Sequence, residues 1–309
     1  MAAGCRYACA RPSPTACSSI WSISPRKEAD MDANALSAAG TVRANDIDIH
    51  YRTDGTDGPW AVLAHALGVD HRLWDNTAQR LAGRYRVLRY DARGHGQTSA
   101  PHGPYTLFQM ADDVAGLLDA LSIGQVHFVG LSMGGMVGQV LGVRHAQRLL
   151  SLTLCDTVCH TPISAHPMWD ERIGQVEAHG MSGIVEPTMQ RWLTTPFREA
   201  HPDVVERIRA LLRATPPHGY VGACLAIKAL DTRSALARIA CPVLVMTGEQ
   251  DTGAPVEAAR EIASHIPNAR LKVIPHAAHL APIEQEDAFL ADLDEFLGHA
   301  GCESQGDTP

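Results

Sequence analysis

Residues 130–135 place Ser132 in the pattern Gly-x-Ser-x-Gly, followed by one further glycine. The apolar run 126–129 precedes this segment and a helical pattern follows it, so the serine falls on a tight turn from a strand into a helix. Such a turn holds the serine hydroxyl clear of the sheet, and the first N–H groups of the helix carry a partial positive charge. The pattern predicts that Ser132 is a nucleophile, with a plain turn of small residues as the alternative.

Two residues further along the chain could activate this serine. A serine hydroxyl is a weak nucleophile at neutral pH, so it needs a base with a pKa near the working pH and an acid that orients the base. Asp251 follows the apolar run 243–247, and His279 follows the run 270–274. The order serine, aspartate, histidine is that of the triad in α/β hydrolases. We therefore predict Asp251 as the supporting acid and His279 as the general base.

Each of these two assignments has a competitor nearby. His276 lies three residues before His279 and could be the base instead. Asp156 follows the run 150–154 and could replace Asp251 as the acid. The sequence has no Cys-x-x-Cys pair, and none of its 16 histidines sits in a metal-ligand pattern. The sequence thus predicts neither a metal nor another cofactor.

Acyl transfer also needs donors that stabilise a negatively charged oxygen in the tetrahedral intermediate. The backbone N–H of Met133, next to the nucleophile, is one candidate. The other is the N–H of Leu67, because residues 65–68 directly follow the strand pattern 60–64, where the oxyanion loop of such hydrolases lies.

Short apolar and β-branched runs alternate with helical patterns, which is typical of a mostly parallel sheet with crossover helices. Turn residues at 54–55 and 57–58 separate the first two predicted strands, as an antiparallel start to the sheet would require. The predicted strands are 42–51, 60–64, 86–90, 126–130, 150–154, 243–247 and 270–274. The predicted helices are approximately 71–82, 107–121, 133–145, 255–265 and 284–298. The fold class is therefore α/β, with the α/β-hydrolase fold.

The alternation of strand and helix patterns stops between Asp156 and Asp231, where the patterns are helical and are broken by prolines. We predict that segments 39–155 and 232–300 form the core and that 156–231 is an inserted helical cap over the carboxyl ends of the strands. The alternative is a helical layer remote from the site. Residues 1–38 lack hydrophobic periodicity and are predicted to be a disordered extension, and 301–309 a flexible tail.

Composition narrows the range of partners. The chain of 309 residues has 26 basic and 34 acidic side chains, a net charge of −8, and no basic run that would contact nucleic acid. No stretch approaches the roughly 20 apolar residues of a membrane span, and no signal peptide is recognisable. The eight cysteines are scattered in a chain too large to need disulfides. We expect a soluble cytoplasmic protein with a small-molecule substrate; the oligomeric state stays open.

Over residues 45–298 the sequence resembles the 3-oxoadipate enol-lactonase family of the α/β hydrolases. One departure is the segment 65–68, which reads His-Ala-Leu-Gly where family members often have Asn-Ser-Leu-Gly. The similarity lies in segments 63–68, 73–75, 89–96, 130–135, 190–193, 219–224 and 278–280.

The resemblance implies hydrolysis of an enol-lactone to 3-oxoadipate, a step of the β-ketoadipate pathway in bacterial degradation of aromatic acids. Such a substrate carries a carboxylate, for which Arg191 is the candidate ligand, and the adjacent Trp192 could form a wall against the ring. Arg191 as a solvated helix residue and Trp192 as part of the cap core is the alternative.

Other functions remain open at this point. The triad residues do not distinguish a lactonase from a carboxylesterase, a perhydrolase or a hydrolase of carbon–carbon bonds. A non-catalytic ligand receptor on the same scaffold is a further possibility, because a fold alone does not prove activity.

Overall fold

Eight strands form one sheet within residues 37–303, the part of the chain that the computed structural model describes. The order of the strands across the sheet is β1-β2-β4-β3-β5-β6-β7-β8. The first two pairings, β1 with β2 and β2 with β4, are antiparallel, and all the others are parallel. The strands are β1 (Ser37–Ala44), β2 (Ile47–Asp54), β3 (Trp60–Ala64), β4 (Arg86–Tyr90), β5 (Val126–Leu131), β6 (Leu149–Cys155), β7 (Val243–Gly248) and β8 (Arg270–Ile274).

The central strands are mostly apolar and are buried because helices cover both faces of a parallel sheet. All six residues of β5 and all six of β7 are buried. Short 3₁₀ helices occur at His71–Trp74, Ala146–Arg148, Ile163–Ala165, Met181–Gly183 and Arg233–Arg238. The α-helices are α1 (Asp75–Leu81), α2 (Leu107–Ala120), α3 (Met133–Arg144), α4 (His166–His179), α5 (Val185–Trp192), α6 (Thr195–Ala200), α7 (Pro202–Ala214), α8 (Pro217–Lys228), α9 (Val256–His265), α10 (Ala281–Glu284) and α11 (Glu286–Glu303).

The predicted first strand, 42–51, is wrong as a single strand. It is divided between β1 and β2, which form a hairpin that turns at Asn45 and Asp46. These two residues have φ of +46° and +62°, the left-handed conformation that a two-residue hairpin turn requires and that asparagine and aspartate tolerate best. The sheet does start antiparallel, but the glycine-rich loop after β2 leads to β3, which is not its neighbour in the sheet.

Helices α4 to α8 follow one another between β6 and β7, within the segment 156–231 that we predicted to be a cap. The apolar stripe of α7 shows why they pack, since Val205, Ile208 and Leu212 are buried at helical spacing. Short helices joined at prolines replace strands throughout this segment. That it acts as a cap stays a prediction.

The ends of the chain are only partly described. β1 begins at Ser37, two residues inside the predicted extension, and α11 continues to Glu303, beyond the predicted end of the core at residue 300. The predictions for residues 1–36 and 304–309 lie outside the described residues. Among the helices of residues 37–303, none has the length and apolar character needed to cross a membrane.

Candidate active site

Ser132 lies between β5 and α3 with φ of +54°, a left-handed conformation that is unusual for a residue other than glycine. The flanking glycines make the turn possible because there is no room for a side chain. A Cβ at Gly134 would lie 2.3 Å from the carbonyl oxygen of Ala64, and one at Gly130 would lie 2.3 Å from that of Gly134. The Ser132 carbonyl accepts a hydrogen bond from Thr157 Oγ1 at 2.8 Å, which helps to hold this strained residue.

The structure brings the three predicted catalytic residues into one hydrogen-bonded chain. His279 Nε2 lies 2.9 Å from Ser132 Oγ, and His279 Nδ1 lies 2.7 Å from Asp251 Oδ2. With an ionised aspartate, Nδ1–H donates to the carboxylate and Nε2 is left to accept the serine proton. All three side chains are buried. The arrangement can therefore perform nucleophilic acyl transfer with general base assistance.

The environment of Asp251 keeps it ionised. Burial by itself raises its pKa, but the His279 imidazole and two backbone N–H donors outweigh this and leave the pKa below its ordinary value. Those donors are Gly253 and Ala254, whose amides lie 2.7 and 3.0 Å from Asp251 Oδ1. One carboxylate oxygen thus binds the loop while the other binds the imidazole.

The two competitors occupy different places. Asp156 Oδ1 accepts a hydrogen bond from the amide of Gly248 at 2.7 Å, and burial, together with the charge of Asp251, raises the pKa of Asp156 well above its ordinary value. Asp156 therefore favours the protonated form more strongly than Asp251 does. His276 is exposed at the surface, and its hydrogen bonds are made by its backbone: its N–H donates to Glu249 and its carbonyl accepts from Gln285. In this geometry the imidazole of His279 faces both the serine and Asp251.

The backbone N–H groups of Leu67 and Met133 are placed as possible oxyanion donors. Neither makes a backbone hydrogen bond within residues 37–303. Leu67 lines the same pocket as Ser132, and Met133 opens α3, where the first N–H groups of a helix have no intrahelical acceptor.

Histidine side chains hold the loop that carries Leu67. The Gly68 amide donates to His95 Nε2 at 2.9 Å, and the Ala92 amide donates to His65 Nε2 at 2.9 Å. Both imidazoles must be neutral to accept these bonds. Burial, with the charge of His65 as a second cause, lowers the pKa of His95 to about 3, and burial also lowers the pKa of His65. His65, which departs from the family pattern, is therefore a structural support of the loop.

The site opens into a pocket of about 560 Å³, within the usual range for small-molecule sites. Ser132, His279, Arg191 and Trp192 all line it. Trp192 is buried, and its ring centroid lies 5.9 Å from that of His279. Further apolar side chains line the walls, among them Met136, Val158, Met168, Trp169 and Ile227.

Arg191 is half-buried at the end of α5. Burial, and next the charge of Arg172, lower its pKa to about 10, so it stays positively charged at neutral pH. Two other residues were missed by the sequence analysis. Arg172, in α4, lines the pocket. Along the helix it falls between Trp169 and Val176 on the buried side, so a charge at this spacing was the available signal.

Glu284 is the second residue that was missed. Its Oε1 accepts the amide of Ala278 at 2.7 Å, next to His279, and its Oε2 accepts the amide and hydroxyl of Thr194 at 2.8 and 2.7 Å. No local pattern marks this residue, because Thr194, its partner in the helical segment, lies 90 residues away in the chain.

Two groups of side chains in the described residues have ligand atoms within 4.8 Å of one another, as a metal ion would require. In the first group, both Asp91 oxygens already accept hydrogen bonds from two imidazoles, at 2.7 and 3.1 Å. That no metal is needed stays a prediction. The groups are His50, His71 and Asp91, and Cys159, His160 and Glu261.

The chain is similar in sequence and in structure to known hydrolases. A model of the alpha/beta hydrolase fold matches residues 59–286. Over 250 residues the chain is 34% identical to 3-oxoadipate enol-lactonase 2 of Acinetobacter baylyi, which covers 81% of this chain and 92% of that protein. The enol-lactonase from Burkholderia xenovorans LB400 is similar in structure, with a TM-score of 0.81 and 37% identity, over 84% of this chain and 100% of that one.

An esterase is similar to nearly the same extent. The thermophilic esterase from Thermogutta terrifontis, whose structure has malate bound, has a TM-score of 0.80 and 30% identity. This match covers 85% of the present chain and 99% of the esterase.

Proposed function

This chain belongs to the 3-oxoadipate enol-lactonase family of the α/β hydrolases, and from this premise we propose that it opens 3-oxoadipate enol-lactone to 3-oxoadipate. At the coarser level the protein is a hydrolase of carboxylic esters or lactones. The lactone is the proposed substrate, and the β-ketoadipate pathway is the proposed setting.

The observation that carries the mechanism is the continuous chain of hydrogen bonds from Ser132 through His279 to Asp251, with heavy-atom distances of 2.9 and 2.7 Å. Ser132 Oγ attacks the lactone carbonyl carbon while its proton passes to His279 Nε2. The ring C–O bond then breaks, and the enol oxygen takes the proton from His279. Because the leaving enol stays attached to the acyl group, the ring opens without release of a product.

Water completes the cycle. His279 removes a proton from the water as it attacks the acyl carbon, and the bond to Ser132 Oγ breaks as the serine regains its proton. Asp251 holds the imidazole in the required tautomer and stabilises its protonated form. The N–H groups of Leu67 and Met133 stabilise the oxyanion, each by about 3 kcal/mol if they resemble measured donors of this kind.

The substrate carboxylate needs a cation, because the chain as a whole carries a charge of −8. Arg191 is the proposed ligand, supported by its place in the pocket and by the absence of any carboxylate within ion-pair distance of it among residues 37–300. Trp192 is proposed as a wall for the ring, supported by its position beside His279. The segment 156–231, which carries both, is proposed to act as the cap that selects the substrate.

A second candidate function is a carboxylesterase for small esters. The 30% identity with the Thermogutta terrifontis esterase supports it, and so does a pocket whose apolar walls continue beyond the catalytic residues. The chemistry would be the same, with an alcohol leaving in place of the tethered enol.

The proposed location is the cytoplasm. Cys155, Cys159, Cys224 and Cys241 are all free thiols, as expected in a reducing compartment. Burial raises the pKa of Cys159 and Cys224 to about 12, so these thiols are protonated and unreactive.

Steady-state kinetics of the wild type and of Ser132→Ala test the function. The substrates are freshly generated 3-oxoadipate enol-lactone and the neutral ester p-nitrophenyl acetate. A kcat/KM for the lactone of roughly 10⁵ M⁻¹s⁻¹ or more, lost in the variant, is the expected result. Turnover of the ester without turnover of the lactone would contradict the lactonase and favour the second candidate.

A further inference from the structure

A thiol, an imidazole and a carboxylate come together at one wall of the pocket, outside the triad. Cys159 and His160 follow β6, and Glu261 lies on α9. The ligand atoms of this Cys159 cluster are all within 4.8 Å of one another. Cys159 is fully buried, whereas His160 and Glu261 are half-buried and line the pocket. These three types of side chain are the ones that bind Zn²⁺ in proteins.

The imidazole of His160 has an unused nitrogen in this cluster. His160 Nδ1 is buried and has no hydrogen-bond partner among residues 37–300. It lies 3.5 Å from Glu261 Oε2 without forming a hydrogen bond. Two ligand atoms of a tetrahedral zinc ion, each bonded at about 2.0 to 2.2 Å, are separated by roughly 3.3 to 3.6 Å. The two atoms therefore have the spacing of zinc ligands, which is wider than that of a hydrogen bond.

Backbone hydrogen bonds fix the segment that carries the first two ligands. The amide of Thr232 donates to the carbonyl of Cys159 at 2.8 Å. On the other side of His160, the amide of Thr161 donates to the carbonyl of Leu230 at 2.9 Å. The third ligand lies on a helix. A metal site built on such fixed elements needs little rearrangement when the ion binds.

The charge of the cluster suits a divalent cation. Burial, and next the charge of Glu261, raise the pKa of Cys159 to about 12, so the thiol is protonated before an ion binds. When the Zn–S bond forms, the S–H bond breaks and the proton passes to solvent. The thiolate and the carboxylate then balance the two positive charges of the ion. Arg233, whose charge also acts on the thiol, is paired with Asp231 at 2.7 Å.

The second group with metal-ligand spacing, His50, His71 and Asp91, lacks these features. Both imidazoles are hydrogen-bonded to the carboxylate, at 2.7 and 3.1 Å. The same carboxylate accepts the backbone amides of His71 and Gln97, both at 2.9 Å. A metal ion would have to replace hydrogen bonds that already satisfy these groups, whereas the Cys159 cluster offers a nitrogen without a partner.

We propose that Cys159, His160 and Glu261 bind one Zn²⁺ ion through Sγ, Nδ1 and a carboxylate oxygen. Three protein ligands leave a fourth position, which faces the pocket. The soft thiolate favours Zn²⁺ over Mg²⁺ or Ca²⁺. The ion takes no part in the proposed acyl transfer. It joins the segment after β6 to α9 and therefore stabilises the folded protein.

Titration with Co²⁺, followed by absorption, tests the site, because cobalt bound to a thiolate gives a charge-transfer band in the near ultraviolet. We expect one Co²⁺ per chain with this band, and loss of the band when Zn²⁺ displaces the cobalt. Cys159→Ser should lack the band. His160→Gln and Glu261→Gln should each weaken Zn²⁺ binding at least about tenfold, the loss that even outer-shell partners of a metal cause. In every protein four further cysteines are replaced by serine, so that they cannot bind the ion: Cys5, Cys9, Cys17 and Cys302.

Cys241→Ser is the matched control, because it removes a half-buried thiol that is not part of the cluster. It should leave the band and the Zn²⁺ dissociation constant unchanged. The proposal is overturned if the protein binds Co²⁺ without a thiolate band, as an ion at His50, His71 and Asp91 would, or if Cys159→Ser keeps the band.

Cys159 is fully buried, so its replacement could prevent folding. In that case the half-buried ligands decide, and unchanged Zn²⁺ affinity in both His160→Gln and Glu261→Gln overturns the proposal. No readout of this experiment is hydrolysis. The metal site and the proposed function therefore stand or fall separately.

Discussion

At the scale of single residues, two carboxylic acids near the imidazole have pKa values shifted in opposite directions because their surroundings differ. Asp251 receives two amide N–H groups and the imidazole, which keep its pKa low in spite of burial. For Asp156, burial and next the negative charge of Asp251 raise the pKa, in spite of the hydrogen bond from the Gly248 amide. Only an ionised carboxylate can stabilise a protonated His279.

Replacement of each acid by its amide separates their roles. Asp251→Asn should lower kcat by about 10³- to 10⁴-fold, because an amide does not enforce the tautomer that the base needs. Asp156→Asn should lower it less than about tenfold, since an asparagine closely resembles the protonated acid. Ester hydrolysis measured in the steady state gives both values. Equal losses in the two variants would show that Asp156 shares the role of the acid.

At the scale of elements, Glu284 in α10 connects two parts of the chain that meet at the site. It binds the amide of Ala278, which precedes the proposed base, and it binds Thr194 at the start of α6. In addition, the Leu280 amide donates to the carbonyl of Trp192 at 3.1 Å. The loop of His279 is thus fastened directly to the helical segment 156–231.

Loss of this connection should affect stability and catalysis together. Glu284→Ala leaves several buried donors without an acceptor and should cost about 2 to 4 kcal/mol of unfolding free energy. It should also lower kcat at least tenfold, because even a small displacement of a catalytic base slows the reaction strongly. Glu284→Gln keeps one acceptor oxygen and should recover part of both. Urea unfolding and ester kinetics measure the two effects. A destabilised variant with the kcat of the wild type would show that Glu284 contributes to stability but does not position His279.

At the scale of the whole molecule, buried neutral histidines make the folded protein sensitive to acid. Burial lowers the pKa of His127 in β5 to about 4, from an ordinary value of 6.5. Its Nδ1 lies 2.8 Å from Ser151 Oγ, and its Nε2 has no hydrogen-bond partner in the described part of the chain. If the His127 ring were protonated, its Nε2–H would have no hydrogen-bond acceptor in the described part of the chain.

The unfolding free energy should therefore fall as the pH is lowered from about 6.5 to about 4. In this window the unfolded chain binds a proton at His127 that the folded protein does not, so acid favours unfolding by up to about 1.4 kcal/mol per pH unit from this group. His127→Leu should remove that part of the slope, whatever its effect on stability at neutral pH. Urea unfolding at several pH values measures the slope, and an unchanged slope in the variant would refute the assignment.

The residues of the proposed triad could be selected from the sequence because each one has a local signature. The turn at Ser132 requires glycines because it has no room for side chains, and Asp251 and His279 each follow a strand, β7 and β8, that ends at the same edge of the sheet. The alternation of strands and helices predicted the fold class for the same reason, since periodicity depends on near neighbours. The hairpin at Asn45 and Asp46 was missed because the turn has no glycine and apolar residues, Ala44 and Ile47, flank it on both sides.

Only the tertiary structure decided which charged and polar groups contact one another. The raised pKa of Asp156, the support of the Leu67 loop by His65 and His95, and the bond between Glu284 and Thr194 all depend on residues far apart in the chain. The surroundings of Arg172 are of this kind as well: a sequence shows that a helix contains an arginine, but not that it is buried against Tyr220 and Thr188. The burial of a side chain and the pairing of its charge depend on all the residues around it in space, and these residues come together only when the chain folds.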